Sequence, residues 1–457
     1  MSGGTIRDIV VVGAGAAGAL TAMHLLCGAA AEGDSACRVW LIGPGPTGRG
    51  LAFGTNAAHH LLNVPASGMS ALRDQPDHFL RWLAGRAGPH DFVPRGLYGR
   101  YLADTLEAAA ALDGAPRLLR LFDQVVGLGH RPDDSGAPVT LRLRSGQSID
   151  ADAVVLALGN FPADQRWAPP ALRRSPLFVA DPWAPGAFEA LPDDSDLLLV
   201  GTGLTMVDVA LTVQRPGRVV HAVSRHGLVP QPHATAPTAG RPVPPVPPDL
   251  DAKCGLDPLR RAVLGHLAAA RRVHGDWRPG FDSLRPLTSA LWQQLPRADQ
   301  ARFFAEDLRL WEVHRHRIPP VSDRALRDAV DGGRVAIGSG SVVGAEAEAG
   351  ALRVELDGGR TLRVGAVVNC TGSQGDLTRI DDPLVSGLLA DGLGCPAPVG
   401  GGFDTAPDGR LLPGSPRPPA PLWTLGSLRR GNLLESTAIP EIRCQAEDLA
   451  RTVRLPG

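Results

Sequence analysis

The sequence has few of the features that would point to a nucleic-acid-binding, metal-binding or dithiol protein. Lys253 is the only lysine and the formal net charge is -1, so no basic surface for nucleic acid is expected. The six cysteines form no C-x-x-C pair and no zinc spacing, and His59-His60 has no third ligand nearby, so no metal site is predicted. This cysteine pattern also excludes a dithiol flavin reductase. We expect a cytoplasmic protein with reduced thiols and small-molecule partners.

Long hydrophobic runs are also scarce, and the run at Ile9–Ala31 alone has the length of a membrane span. It begins with β-branched residues, passes into regularly spaced glycines and lacks a basic flank beyond Arg7. A buried strand followed by a buried helix explains this run better. No membrane association is therefore predicted.

The pattern that is most informative is Gly13-x-Gly15-x-x-Gly18, which lies between the strand-like run Ile9–Val12 and a helix that starts at Ala16. In this setting the first glycine permits a tight turn and the second lets the backbone approach a pyrophosphate. The third lets the helix lie close to the sheet. The pattern predicts a dinucleotide bound at the helix N-terminus.

One part of this pattern is missing. The acidic residue that commonly binds the ribose would stand at the end of the second strand, where the sequence has Gly43. The ribose contacts are therefore expected from backbone groups of residues 43–48 or from Arg49.

A second turn, Gly201-x-Gly203, follows the aliphatic run Leu197–Val200 and precedes a helix that includes Thr205. Met206 stands where the third glycine would be. The turn predicts a second dinucleotide site, at which Gly201, Gly203 and Thr205 contact the cofactor.

The strand after this second turn ends in Ser224-Arg225-His226, without a carboxylate. An acidic residue at this position pairs with a free ribose 2′-hydroxyl, whereas serine and arginine favour a 2′-phosphate. NADPH is therefore predicted in preference to NADH.

Two further strand ends resemble the places where flavoprotein chains cross between two nucleotide folds, because Gly159 and Gly372 each follow an aliphatic strand. Gly426 follows the last strand of the chain. Ser427 stands where such proteins often have an aspartate that binds the ribityl chain. The helix that begins near Ile439 is expected to direct its N-terminus at the flavin.

The predicted fold class is thus α/β, with two Rossmann-like dinucleotide-binding domains, the FAD fold being interrupted by the NAD(P)H fold. The first part of the FAD domain is predicted at residues 1–165 and its second part at residues 341–457. The NAD(P)H domain is predicted at residues 166–340, with a helical insertion at about residues 250–318.

Several segments together resemble one bacterial family of FAD/NAD(P)-binding proteins. They are residues 50–55, 60–66 with Met69-Ser70, 201–208, 311–317 and 435–441. The family includes a FAD-dependent urate hydroxylase and aspartate N-monooxygenases, and the resemblance runs nearly end to end. It implies FAD in the first fold, NAD(P)H in the second and oxygen activation through a flavin C4a-hydroperoxide.

The predicted function is an NAD(P)H-dependent FAD monooxygenase that hydroxylates a small polar nitrogenous substrate with molecular oxygen. Urate-type hydroxylation is favoured over an aspartate-like N-hydroxylation, which stays open. A FAD-dependent NAD(P)H reductase or oxidase is the alternative of another class. A non-catalytic scaffold is disfavoured because it would not need an unobstructed glycine approach twice. Substrate identity and oligomeric state are left open.

Candidate catalytic residues come from two segments. Asn63 and Pro65 are predicted to form a wall facing the flavin, with the Asn63 amide also binding the cofactor. Arg315 and Arg317, in the run His314–Arg317, are candidates for holding an anionic substrate or the NADPH phosphate. Positive charges that complement a helix C-terminus explain the run equally well.

A less specific signal lies upstream of this run. Asp276 and Arg285 flank a segment that could line the substrate cavity.

Overall fold

The computed structural model describes residues 7–33, 37–130, 138–235, 245–246 and 250–454. The strands, in chain order, are β1 (Arg7–Val12), β2 (Cys37–Ile42), β3 (Arg117–Leu121), β4 (Val125–His130), β5 (Val139–Leu143), β6 (Ser148–Ala151), β7 (Ala153–Leu156), β8 (Phe178–Val179), β9 (Leu197–Val200), β10 (Val220–Ser224), β11 (Val335–Ser339), β12 (Val342–Glu348), β13 (Ala351–Leu356), β14 (Thr361–Val364), β15 (Ala366–Asn369) and β16 (Leu422–Thr424).

The α-helices, in chain order, are α1 (Ala16–Glu32), α2 (Gly50–Phe53), α3 (His78–Leu83), α4 (Arg95–Ala110), α5 (Pro170–Arg173), α6 (Leu204–Val213), α7 (Leu256–His274), α8 (Arg278–Ser283), α9 (Arg285–Gln294), α10 (Arg297–Glu306), α11 (Leu308–Arg315), α12 (Pro320–Asp331), α13 (Pro383–Ala390), α14 (Arg430–Leu433) and α15 (Ile439–Arg454). Short 3₁₀ helices lie at Ala66–Gly68, Ala252–Cys254, Asp357–Gly359, Leu377–Arg379 and Gly426–Leu428.

A parallel sheet of order β16-β7-β1-β2-β3 forms the first fold. Its central strands are apolar almost throughout because both faces of the sheet are covered. One face packs on α1, α4 and α15, and the other on α13 and the antiparallel sheet β4-β5-β6. The apolar run at Ile9–Ala31 therefore divides into a buried strand and a buried helix, as predicted.

A second parallel sheet, of order β11-β10-β9-β15-β8, forms the second fold. Helices α6 and α12 cover one face, and the antiparallel sheet β12-β13-β14 covers the other. Met206 has no exposed surface and packs in this core, so the missing third glycine is replaced by a core side chain. The predicted fold class, two dinucleotide-binding folds with one inserted into the other, is confirmed by these two sheets.

The placement of β15 differs from the predicted domain boundary. This strand pairs with β9 in the second sheet, although it lies beyond residue 340. The chain rejoins the first sheet only at β16. A four-residue apolar strand carries no local signal for which of two sheets it joins. The domain division remains a prediction, but this strand belongs with the second fold.

Helices α7–α11 form an insertion with a small core of their own. Trp292 has 2% of its surface exposed and packs with Leu256 and Leu295. Its indole Nε1 donates a hydrogen bond of 2.8 Å to the carbonyl of Gly431, which fixes the insertion to the C-terminal segment. None of the described helices is both long and apolar enough to span a bilayer.

Candidate cofactor and substrate sites

In the first glycine turn, packing requires glycine at positions 13 and 18 but not at position 15. Gly13 has φ of 109°, and a Cβ there would overlap the carbonyl oxygen of Ala157. A Cβ on Gly18 would overlap the carbonyl of Gly13. On Gly15, whose φ is -71°, a Cβ would meet nothing closer than Gly50 Cα at 3.5 Å. Gly15 therefore leaves open space at the N-terminus of α1, where a pyrophosphate fits.

The missing ribose acid has a structural reason. A Cβ on Gly43 would lie 2.7 Å from the backbone nitrogen of Ala14, so no longer side chain fits at this position. A hydrogen bond of 2.9 Å from the Gly48 N–H to the Ala14 carbonyl holds the loop after Gly43 against the turn. The next residue, Arg49, has no hydrogen-bond or ionic partner for its guanidinium among the described residues, so it stays available to a cofactor.

The other predicted flavin residues meet at the same sheet edge. The strand ends Val12, Leu156 and Thr424 lie in register on neighbouring parallel strands, so the segments that follow them converge. Gly159 and Gly426 both have positive φ, of 71° and 74°.

Side chains near this edge connect the strand ends to the last helix. The Ser427 hydroxyl donates to the Gly159 carbonyl at 2.7 Å, and the Gly426 N–H donates to Gln445 Oε1 at 3.1 Å. Ile439, the first residue of α15, is buried. The structure thus brings together Gly159, Gly426, Ser427 and helix α15.

The Asn63 and Pro65 segment lies beside a cavity. Pro65 lines this cavity directly. The Asn63 carbonyl accepts a hydrogen bond of 2.9 Å from Nε2 of His233, while its side-chain amide makes no hydrogen bond with any described residue. The Asn63 amide is therefore free to bind a ligand.

The second glycine turn repeats the backbone of the first. Gly201 has φ of 110°, and a Cβ there would overlap the carbonyl of Cys370. Gly203 has φ of -86°, and a Cβ there would meet no described atom closer than Arg309 Nη1 at 3.8 Å. Helix α6, which includes Thr205, starts directly after it. Gly372, with φ of 89°, follows the neighbouring strand β15.

The two residues predicted to select NADPH have different surroundings. The Ser224 hydroxyl lies 2.7 Å from the Thr202 hydroxyl and accepts a hydrogen bond of 3.1 Å from the Gly227 N–H. Arg225 is exposed and has no hydrogen-bond or ionic partner among the described residues. Arg225 is thus free for a phosphate, whereas Ser224 also holds the loop in place.

The sequence patterns did not identify Arg309, which lies at this second turn. Its Nη2 donates to the carbonyls of Leu228 at 2.9 Å and Thr202 at 3.2 Å. Arg309 and Thr202 stand 107 positions apart, and no local motif connects them.

The larger cavity, of about 690 Å³, is lined by charged residues from both folds and from the helical insertion. Asp276 and Arg278 form an ion pair of 3.0 Å, and Arg317 pairs with Asp282. Burial, with a contribution from Arg317, lowers the pKa of His233 to about 4, so this ring is neutral at pH 7. The cavity offers both signs of charge to a small polar molecule.

Arg315 and Arg317, the candidates for an anionic substrate or the NADPH phosphate, lie in different surroundings. Helix α11 ends at Arg315, so the side chains on either side of its end point to different surroundings. Arg317 lines the large cavity. Arg315 is buried instead against Glu435 at 2.9 Å and Glu441 at 3.5 Å. The geometry favours Arg317 over Arg315 as a substrate residue.

The two upstream residues, Asp276 and Arg285, also lie in different surroundings. Asp276 lines the large cavity, whereas Arg285 forms an ion pair of 2.6 Å with Glu441. Glu441 therefore joins two arginines of the insertion to α15.

A second cavity, of about 510 Å³, opens between the strand ends of the two folds. Gly159 and Ser427 come from the first fold, and Gly375 follows β15 of the second. Thr437, two residues before α15, also lines it. This cavity adjoins the predicted flavin residues.

Polar contacts join the two folds. Arg95, at the start of α4, pairs with Asp208 of α6 at 2.5 Å. His60 shares hydrogen bonds with the hydroxyls of Thr55 at 2.8 Å and Thr212 at 3.0 Å. His60 and Asp208 both lie in segments that carry the family resemblance. Within the described ranges, no cluster of three or more His, Cys, Asp or Glu residues is placed to hold a metal.

Comparison with known proteins agrees with the first turn. Residues 10–161 match an FAD-NAD(P)-binding family model. This segment contains Gly13, Gly15, Gly18 and Gly159, and the match supports the predicted dinucleotide cofactor of the first fold. The sequence matches none of the curated proteins.

Solved structures share the whole fold at low sequence identity. The ornithine N-hydroxylase of Kutzneria sp. 744 has a TM-score of 0.64 and 17% identity, over 98% of each chain. The L-lysine 6-monooxygenase of Pseudomonas syringae has a TM-score of 0.58 and 21% identity, over 98% of this chain and 99% of that one. The cadaverine monooxygenase of Erwinia amylovora, solved with FAD, has a TM-score of 0.63 and 14% identity, over 99% and 95%.

Proposed function

We propose that the protein is an FAD monooxygenase that uses NADPH and molecular oxygen to hydroxylate the nitrogen of a small amine. The observation that carries the proposal is the repeated turn. Gly15 and Gly203 each leave open space at a helix N-terminus, although packing around each would admit a side chain. A scaffold would have no use for two such openings.

The choice of nitrogen as the reacting atom draws support from the structural neighbours. Those described above are an ornithine N-hydroxylase, a lysine 6-monooxygenase and a cadaverine monooxygenase. Each acts on an amine. The sequence favoured urate-type hydroxylation and left N-hydroxylation open. We now propose N-hydroxylation in its place.

Reduced FAD would supply the oxygen chemistry, and the protein would bind and orient the substrate beside it. Arg317 and Arg278 are placed to attract a carboxylate, and Asp276 an ammonium group. Because His233 is neutral and its Nε2 donates to the Asn63 carbonyl, its Nδ1 is left as an acceptor for a substrate N–H. The Asn63 amide would hold either the substrate or the cofactor.

The test measures NADPH oxidation, hydrogen peroxide release and product mass together, with aspartate, ornithine, lysine, cadaverine and urate as candidate substrates. We expect one amine to accelerate NADPH oxidation and to gain one oxygen atom on nitrogen. Arg317→Ala should raise KM for that amine without changing flavin content. Arg363→Ala, in the exposed strand β14, is the matched control and should change neither.

Two outcomes would contradict the proposal. If no amine gains oxygen while an added electron acceptor is reduced rapidly, the protein is a reductase. If urate is oxygenated and the amines are not, the proposed substrate class is wrong.

A further inference from the structure

Arg309 lies at the opening that Gly203 leaves in the second turn. A Cβ built on Gly203 would have two neighbours within 4 Å, the Arg309 atoms Nη1 at 3.8 Å and Nη2 at 3.9 Å. A pyrophosphate that approaches the backbone at Gly203 would therefore meet this guanidinium. Arg309 belongs to α11, so the contact comes from the helical insertion and not from the nucleotide fold itself.

Hydrogen bonds hold the Arg309 guanidinium in place but occupy only some of its N–H donors. Among the described residues, its hydrogen bonds come from Nη2, which donates to the carbonyls of Leu228 and Thr202. Nη1 lies 3.7 Å from Glu312 Oε2, beyond hydrogen-bond distance, and Nε has no partner among the described residues. Burial lowers the pKa of Arg309, and nearby Glu312 raises it. An arginine with free donors, fixed beside an opening at a helix N-terminus, is suited to an anion.

We infer that Arg309 binds the pyrophosphate of NADPH and thereby makes the helical insertion part of the cofactor site. The inference rests on the proposed function, since it takes NADPH as the second cofactor. Glu312 links Arg309 to the flavin side of the molecule, because it also pairs with Arg430 at 2.5 Å. Arg430 lines the cavity beside the predicted flavin residues.

Arg309 and Arg225 should then act on different parts of the nucleotide. The pyrophosphate is common to NADPH and NADH, so loss of Arg309 weakens the binding of both. The 2′-phosphate occurs in NADPH alone, so loss of Arg225 weakens only that one. This difference separates a pyrophosphate contact from a 2′-phosphate contact.

The experiment is calorimetric titration of the FAD-loaded protein with NADP⁺ and with NAD⁺. Arg309→Ala should raise Kd for both by a similar factor, about tenfold to hundredfold for a lost charge-assisted contact. Arg309→Lys should recover part of the loss, because it keeps the charge. Arg225→Ala should raise Kd for NADP⁺ only.

A control separates phosphate binding from support of the loop. Arg309→Gln keeps an N–H donor for the Leu228 and Thr202 carbonyls but removes the charge. If Arg309→Gln binds NAD⁺ as tightly as the wild type, Arg309 only holds the loop and the inference is wrong. Unchanged nucleotide binding in Arg309→Ala would also overturn it while leaving the proposed function intact. Failure of the wild-type protein to bind either nucleotide would overturn both.

Discussion

The two dinucleotide turns of this chain share one backbone geometry. Gly13 and Gly201 have nearly equal φ angles, 109° and 110°. Their N–H groups each donate a hydrogen bond of 2.7 Å, to the carbonyls of Ile42 and Val223. In both turns a Cβ would overlap the carbonyl oxygen of the residue that directly follows the neighbouring parallel strand. The two sheets thus impose the same requirement for glycine.

The turns differ in what lies over their second glycine. Over Gly15 the nearest atoms are backbone atoms of Gly50, the first residue of α2. Over Gly203 they are the guanidinium nitrogens of Arg309. Gly50 belongs to the segment after the second strand of the same fold, whereas Arg309 belongs to the helical insertion. The comparison indicates that sheet geometry fixes a dinucleotide turn, while the covering element is free to vary.

The largest effect is expected at the glycine that packing requires. Gly13→Ala would place a methyl group against the Ala157 carbonyl at a φ that alanine rarely adopts. We expect a loss above about 3 kcal/mol, and therefore little soluble folded protein. Gly33→Ala is the control, because Gly33 also has positive φ, of 69°, but no described atom lies within 4 Å of a Cβ there. Expression yield and thermal unfolding measure both variants, and equal losses would show that the overlap is unimportant.

The next largest effect is loss of one cofactor without loss of the fold. Gly15→Val should leave a folded, colourless protein, because the side chain would enter the pyrophosphate path while its Cβ would lie 3.5 Å from the nearest described protein atom, Gly50 Cα. Gly203→Val should keep the yellow FAD and lose reduction by NADPH. Absorbance spectra and circular dichroism measure the two variants. A Gly15→Val protein with full flavin content would mean that FAD does not bind at this turn.

A smaller effect is expected from the residue predicted to select NADPH. Arg225→Ala should lower the efficiency of flavin reduction by NADPH about tenfold to hundredfold, the effect of a charge-assisted contact of about 1.5–3 kcal/mol. NADH kinetics should barely change. Stopped-flow reduction with each nucleotide gives the ratio, and an equal loss with both would assign Arg225 to another contact.

The sequence predicted the parts of this comparison that depend on local pattern. The glycines of both turns, the strand before each turn and the aliphatic strand before Gly372 lie where the sequence pattern predicted them. What it missed depends on contacts between distant segments. No local pattern shows that β15 joins the second sheet or that Arg309 reaches the second turn. The division of Arg315 from Arg317 likewise follows from where α11 ends and from which carboxylates surround it.

The smallest effect tests the contact between the two folds. Burial, with contributions from His59 and Arg95, lowers the pKa of His60 to about 4 from 6.5. A depressed histidine pKa means that the unfolded chain takes up the proton first, so this contribution to stability is present above pH 6.5 and is lost as the pH falls toward 4. By pH 5.5 the loss is about 1 kcal/mol. His60→Gln, which cannot titrate, should therefore flatten the dependence of urea unfolding on pH between 7.5 and 5.5. If the variant shows the same pH dependence as the wild type, His60 is not held neutral between the folds.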